Sequence, residues 1–184
     1  MCLLSNVKGK DRGAAGNGFV EGELTVELRN LIVTELGKLG VTPVVDADDS
    51  ILAQTLNFFK NLTGNSSIVL DLHWNAAAST TATGTETLVP SDATEFEIKL
   101  AGDLSDTVAD VLQILRRGQF KNRRGVKSEA ESHHGRLGFM RLKGENVLME
   151  ICFITNKADM ERYQAKKQLL AKMIAEKLAD AAKK

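Results

Sequence analysis

Two short apolar runs, SIVLDLHW over residues 67–74 and NVLMEICFI over 146–154, constrain this chain more than anything else in it. Bounded by polar turn residues, the first suits a buried strand, and the second is a strand candidate of the same kind. Around them the period changes to that of a helix. Leu24, Leu28, Leu31, Ile32, Leu36 and Leu39 recur at three- and four-residue spacing and predict a helix over 20–38. Further helices are predicted over 50–62, 93–115 and 156–182, and further strands over 42–45, 84–89 and 137–142. Residues 116–135 carry eight Lys, Arg or His and no clear period. Strands alternating with helices predict a single α/β domain over 1–184, with helices on both faces of a mixed sheet.

Composition narrows the function. The chain has 184 residues, 43% of them apolar and 26% charged, which excludes a disordered or collagen-like chain. Lys plus Arg and Asp plus Glu each number 24, so the basic excess of a nucleic-acid partner is absent. No stretch approaches the roughly 18 apolar residues that span a bilayer, and the start is too short for a signal-peptide apolar region. The expectation is synthesis in the cytosol, where the chain stays unless something else lets it out, and no membrane insertion. Cys2 and Cys152 are expected as reduced thiols.

Residues 7–18 form a glycine-rich loop without the Gly-Lys-Ser/Thr ending of a phosphate loop, which argues against nucleotide binding. Three ionisable residues fall at element ends, where such sheets gather their chemistry. Glu150 interrupts an apolar run, where a carboxylate carries a desolvation cost unless it is paired or functional. A buried salt bridge or a polar strand face accounts for it equally well. His73 ends the other run and, taken alone, is more simply a hydrogen-bonded structural residue. Glu21 opens the first helix, where the macrodipole favours acids regardless of function. Together they gain meaning, since His and Glu are zinc ligands and a further carboxylate can deprotonate water.

The motifs in order resemble the zinc-dependent N-acetylmuramoyl-L-alanine amidases of the type-3 group. GKDRGAAGNGFVEGELTVELRNLIVTELGKLG is similar to their opening, D-x-GA-x-G followed by a Glu and a helix. Asp11, Gly13, Ala14 and Gly16 match, and Glu21 falls at the family's glutamate. LDLHWNA resembles S-I-H-x-N-A, setting His73 at a zinc-ligand histidine with Asn75 and Ala76 after it. GTET at 84–87, NRRGVK at 122–127 and LGFMR at 137–141 follow G-T-E, R-G-V-K and L-x-V-L-R. LMEICFITN resembles L-V-E-x-G-F-I-S-N, with Glu150 at the catalytic glutamate and Asn156 at the closing asparagine.

The resemblance implies a six-stranded sheet flanked by helices, a zinc ion held by His-Glu-His ligands, and hydrolysis of the amide joining N-acetylmuramic acid to L-alanine in peptidoglycan. It implies Glu21 and His73 as zinc ligands and Glu150 as general base. The compact chain resembles a phage or prophage endolysin, with a cytoplasmic recycling role as the milder variant. It departs from the family at the first ligand. Aligned on Ser5 and Asn6, Leu4 stands where the family's histidine would, and the first strand looks missing. A late start, a substitute ligand from His133 or His134, and a catalytically impaired peptidoglycan-binding remnant are the competing accounts. A second departure puts Val45-Asp46 where the family often carries Thr-Arg. A carboxypeptidase-type zinc peptidase is disfavoured by the absence of H-x-x-E spacing.

Overall fold

A computed structural model describes residues 2–5, 12–48, 50–132 and 135–183, with the backbone alone for 2–5. Asp11, Asp49, His133 and His134 lie outside the described residues. The strands are β1 (Cys2–Ser5), β2 (Ala15–Gly16), β3 (Phe19–Val20), β4 (Val44–Val45), β5 (Ile68–Asn75), β6 (Glu86–Val89), β7 (Gln119–Phe120), β8 (Arg123–Arg124), β9 (Val126–Ser128) and β10 (Glu145–Phe153). The helices are α1 (Glu21–Lys38), α2 (Leu52–Lys60), α3 (Glu95–Leu112) and α4 (Lys157–Ala181).

Six of the strands form one mixed sheet in the order β4-β1-β5-β10-β6-β9. The first four run parallel, and β6 lies antiparallel to β10. The two apolar runs are therefore neighbours at its centre. Alternation along β5 explains why they read as continuous apolar sequence. Ile68, Leu70, Leu72 and Trp74 pack on α1, α3 and α4, whereas Val69 joins Phe59 of α2, Leu88, Phe139, Met140 and Leu148 on the other face. Both faces are covered, so alternate residues are buried in both directions.

Leu24, Leu28, Ile32 and Leu36 of α1 are fully buried at the predicted spacing. Leu39 and Leu169, expected on buried faces, are about half exposed: Leu39 follows the end of α1, and Leu169 lies on the outer side of α4 beside the buried Leu170 and Ala171. Helix α3 opens with a capping box in which Thr94 accepts from the Glu97 amide and Glu97 from the Thr94 amide. Glu97 also accepts from the Asn146 amide at 2.7 Å, tying the helix start to β10.

Three expectations are corrected. The first strand is present: Cys2–Ser5 pairs with both β4 and β5. Residues 137–142 are not a strand but a 3-10 turn over Gly138–Arg141, because Phe139 and Met140 both turn inward to cap the second face. The patternless region 116–135 supplies the edge strand β9, whose Val126 and Ser128 are buried, and the two-residue ribbon of β7 with β8. Among the described residues no helix is long and apolar enough to cross a membrane.

Candidate active site

The register of the sheet brings the acidic residues together. Glu150 on β10 is level with His73 on β5 and with Glu86 on β6. All three lie on the face of Val69, Leu88 and Leu148, as does Asp71 two residues before His73. Partners in a parallel or antiparallel ladder share a face, so period-2 alternation alone sets these side chains side by side.

Glu21 arrives from the start of α1. Its Oε1 meets His73 Nδ1 at 2.9 Å and accepts the Trp74 amide at 3.1 Å, while Oε2 accepts the Ala14 amide at 2.7 Å. The glycine-rich loop makes this possible. Gly13 has φ +68, and a Cβ there would lie 2.5 Å from Glu21 Oε2. Beyond it β2 and β3 form a hairpin through Asn17 (φ 51) and Gly18 (φ 82), a left-handed Asn-Gly turn. Asn17 Nδ2 donates to the Ile154 carbonyl at 2.8 Å, pinning the hairpin on the end of β10.

Charge state follows from these contacts. Burial works to raise the Glu21 carboxyl, but the His73 hydrogen bond and charge and the amides of Ala14 and Trp74 hold it below the usual range. Burial works against protonated His73, but Asp71, Glu21 and Glu150 hold its affinity for protons well above that of an ordinary histidine. Burial, with the charges of Glu21, Glu86 and Asp71, pushes Glu150 up to about 7 despite the opposing charge of His73. Oε2 of Glu150 is buried and has no hydrogen-bond partner among the described residues.

The structure thus gathers Glu21, His73 and Glu150, the three residues singled out in the sequence. Sequence reasoning missed Asp71, whose Oδ2 is 3.3 Å from His73 Nε2. It also missed Glu86, held by Asn75 Nδ2 at 3.1 Å and Lys127 Nζ at 3.5 Å. Period 2 within LDLH would have found Asp71, since residues two apart on a strand share a face. Val45-Asp46 proves structural at its second residue, because Asp46 is buried against Arg29 at 3.1 Å. Leu4 is level with Asp71, two residues or about 7 Å short of His73 along the strand direction.

Zinc, implied by the resemblance, is matched in kind by Glu21 and His73: one carboxylate oxygen and one imidazole nitrogen converge, and the second ring nitrogen rests on a carboxylate. Among the described residues no group of three His, Cys, Asp or Glu could hold a metal ion.

The chain is similar to known proteins. Residues 8–181 match the family model described as N-acetylmuramoyl-L-alanine amidase. The chain is 30% identical over 156 residues to the uncharacterized protein YqiI of Bacillus subtilis (strain 168), covering 84% of this chain and 69% of that one. It is 27% identical over 158 residues to the N-acetylmuramoyl-L-alanine amidase LytC of the same organism, covering 83% of this chain and 29% of LytC. The crystal structure of an N-acetylmuramoyl-L-alanine amidase from Clostridium difficile 630 superposes with a TM-score of 0.79 at 19% identity, covering 97% of this chain and 94% of that chain.

Proposed function

The chain belongs to the N-acetylmuramoyl-L-alanine amidase family, and from that premise we propose that it hydrolyses the amide between N-acetylmuramic acid and L-alanine in peptidoglycan. The observation that carries the reading is the buried, unpartnered Oε2 of Glu150, level with a histidine already joined to Glu21. A carboxylate so placed has nothing in the described protein to bind and a raised proton affinity, which suits a general base.

Glu21 and His73 are the residues that would hold a zinc ion there. Zinc bound there supplies a Lewis acid that polarises the scissile carbonyl and acidifies a water molecule. Glu150 takes the proton of a water whose oxygen bonds to the scissile carbonyl carbon, and delivers that proton to the alanine nitrogen as the carbon–nitrogen bond breaks. The Ala14 and Trp74 amides keep the Glu21 carboxylate in place throughout.

The test is chemical. Purified peptidoglycan incubated with the zinc-loaded chain should gain free alanine amino groups and no new reducing sugar ends, and Glu150→Gln should yield neither. Peptidoglycan that is bound without release of alanine amines would overturn the hydrolytic reading in favour of the binding remnant.

A further inference from the structure

The row of His73, Glu150 and Glu86 ends on two cations that have no part in the hydrolysis just described. Arg117 Nε lies 4.0 Å from Glu86 Oε2, and Lys127 Nζ lies 3.5 Å from Oε1. Both contacts are long, and one carboxylate answers two positive charges, so a positive charge is left over beside the site. The Arg117 side chain is 46% exposed against 8% for Glu86, so the surplus faces solvent.

Arg117 is held in place before any ligand arrives. Its amide donates to the Thr85 carbonyl at 2.8 Å, and the Thr85 amide donates to the Leu115 carbonyl at 2.8 Å, which ties residues 115–117 to the start of β6. Gly84 leaves room for the side-chain stem, because a Cβ there would lie 2.9 Å from Arg117 Cγ. Nη1 donates to the Thr83 carbonyl at 3.2 Å, and the guanidinium lies over the Phe153 ring at 5.1 Å. Nη2 meets no acceptor among the described residues. A planar fork fixed by stacking, with donors unspent, suits a carboxylate, whose two oxygens it can grip together.

Position says which carboxylate. His73, Glu150 and Glu86 are level on β5, β10 and β6, neighbouring strands about 4.8 Å apart. The amidase reading above, on which this inference rests, puts the scissile carbonyl at the His73 end and protonates the alanine nitrogen from Glu150. The stem peptide therefore runs from Glu150 toward Glu86 and Arg117. An extended peptide advances about 3.3–3.6 Å per residue, which brings the second stem residue level with Glu86 or just beyond it. We propose that Arg117 binds a free carboxylate on the second stem residue and makes the enzyme prefer a stem that carries it over one in which it is an amide.

The probes are N-acetylmuramoyl-L-alanyl-D-glutamate and the same compound with the glutamate α-carboxylate converted to the amide. With the zinc-loaded 184-residue chain, kcat/KM for the acid should exceed that for the amide about 3- to 10-fold, the range of a half-exposed bidentate pair. Arg117→Gln should remove the preference. Arg117→Lys, which keeps the charge and loses the fork, should fall between and serves if the glutamine variant does not fold. Absence of a preference in the wild type, a preference that survives in Arg117→Gln, or one abolished only by Lys127→Gln would overturn the proposal. Should the wild type cleave neither compound, the amidase reading fails, and the affinities of the two compounds by NMR titration take the place of the rates. The acid is then expected to bind more tightly by a similar factor, with the difference lost in Arg117→Gln, and equal affinities in the wild type overturn the role of Arg117.

Discussion

Glu150 lies directly across from His73 on adjacent parallel strands, and its Oε2 is buried without a hydrogen-bond partner among the described residues. A carboxylate in that position favours its neutral form, and burial with three neighbouring acids pushes it up to about 7.

A stability signature follows from that shift. Because the folded group holds its proton to higher pH than the unfolded one, folding binds protons between about 4.5 and 7. Stability therefore falls as pH rises through that window and levels off above it. A shift of roughly 2.5 units corresponds to about 3 kcal/mol. In metal-free protein, Glu150→Gln should be more stable than wild type by about that amount at pH 8, with the gap closing near pH 4. Urea unfolding at both pH values measures it, and an equal gap at both would remove the buried charge as the cause.

Gly13→Ala tests the link between loop and site. The new Cβ would fall 2.5 Å from Glu21 Oε2, at a backbone angle of +68 that L side chains rarely adopt. The cost in stability should be about 1–3 kcal/mol, from strain and from displacement of the carboxylate. The informative readout is zinc affinity. It should fall several-fold more than in Gly18→Ala, which meets no atom within 4 Å though its φ of +82 carries the same kind of strain. Equal affinity in the two variants would mean that Glu21 does not depend on this close approach.

The sequence made the sheet's centre and two of the site's principal residues legible for one reason, whereas Glu21 gained its meaning only from the family resemblance. Continuous apolar runs and charged interruptions are both local signals, and His73 and Glu150 are such interruptions. What it hid was decided elsewhere in the chain. Glu86 owes its place in the site to cross-strand register, which no local pattern records, whereas Asp71 follows from period 2 on the same strand as His73. Residues 137–142 look like a strand because both Phe139 and Met140 are apolar, but neighbours that bury into the same cluster on one face demand a turn. Strand β1 is only four residues, too short to show a period, and exists because β4 and β5 offer it partners on both sides.

Glu129 anchors the segment that the sequence left without pattern. Fully buried, it accepts from the amides of Ser91 at 3.4 Å and Leu137 at 2.8 Å and pairs with Arg141. Both ends of the stretch from 129 to 141 are thus tied to one carboxylate. Arg141→Ala should destabilise the protein by about 3–5 kcal/mol, because it leaves a buried charge with two neutral donors. Glu129→Gln in the same background should recover part of that loss by removing the charge. A double-mutant cycle in guanidinium measures both, and simple additivity would show that the pair is not coupled.

His73→Ala should act on metal and on stability in different ways, which makes it the most discriminating single change at the site. The imidazole is the positive partner of Asp71 and Glu21 and the one neighbour that offsets the acids around Glu150. Removing it takes away one of the two zinc donors, so bound zinc should fall to background by elemental analysis after dialysis against a weak chelator. It also leaves three buried or half-buried carboxyls facing one another with no cation between them. In the metal-free state the variant should therefore lose about 3–5 kcal/mol at pH 8 and regain much of it at pH 5, where protonation relieves the repulsion. Zinc retained at one per chain would show that the metal sits elsewhere. A loss of stability independent of pH would show that His73 contributes packing, and that the acids are held apart by something other than its charge.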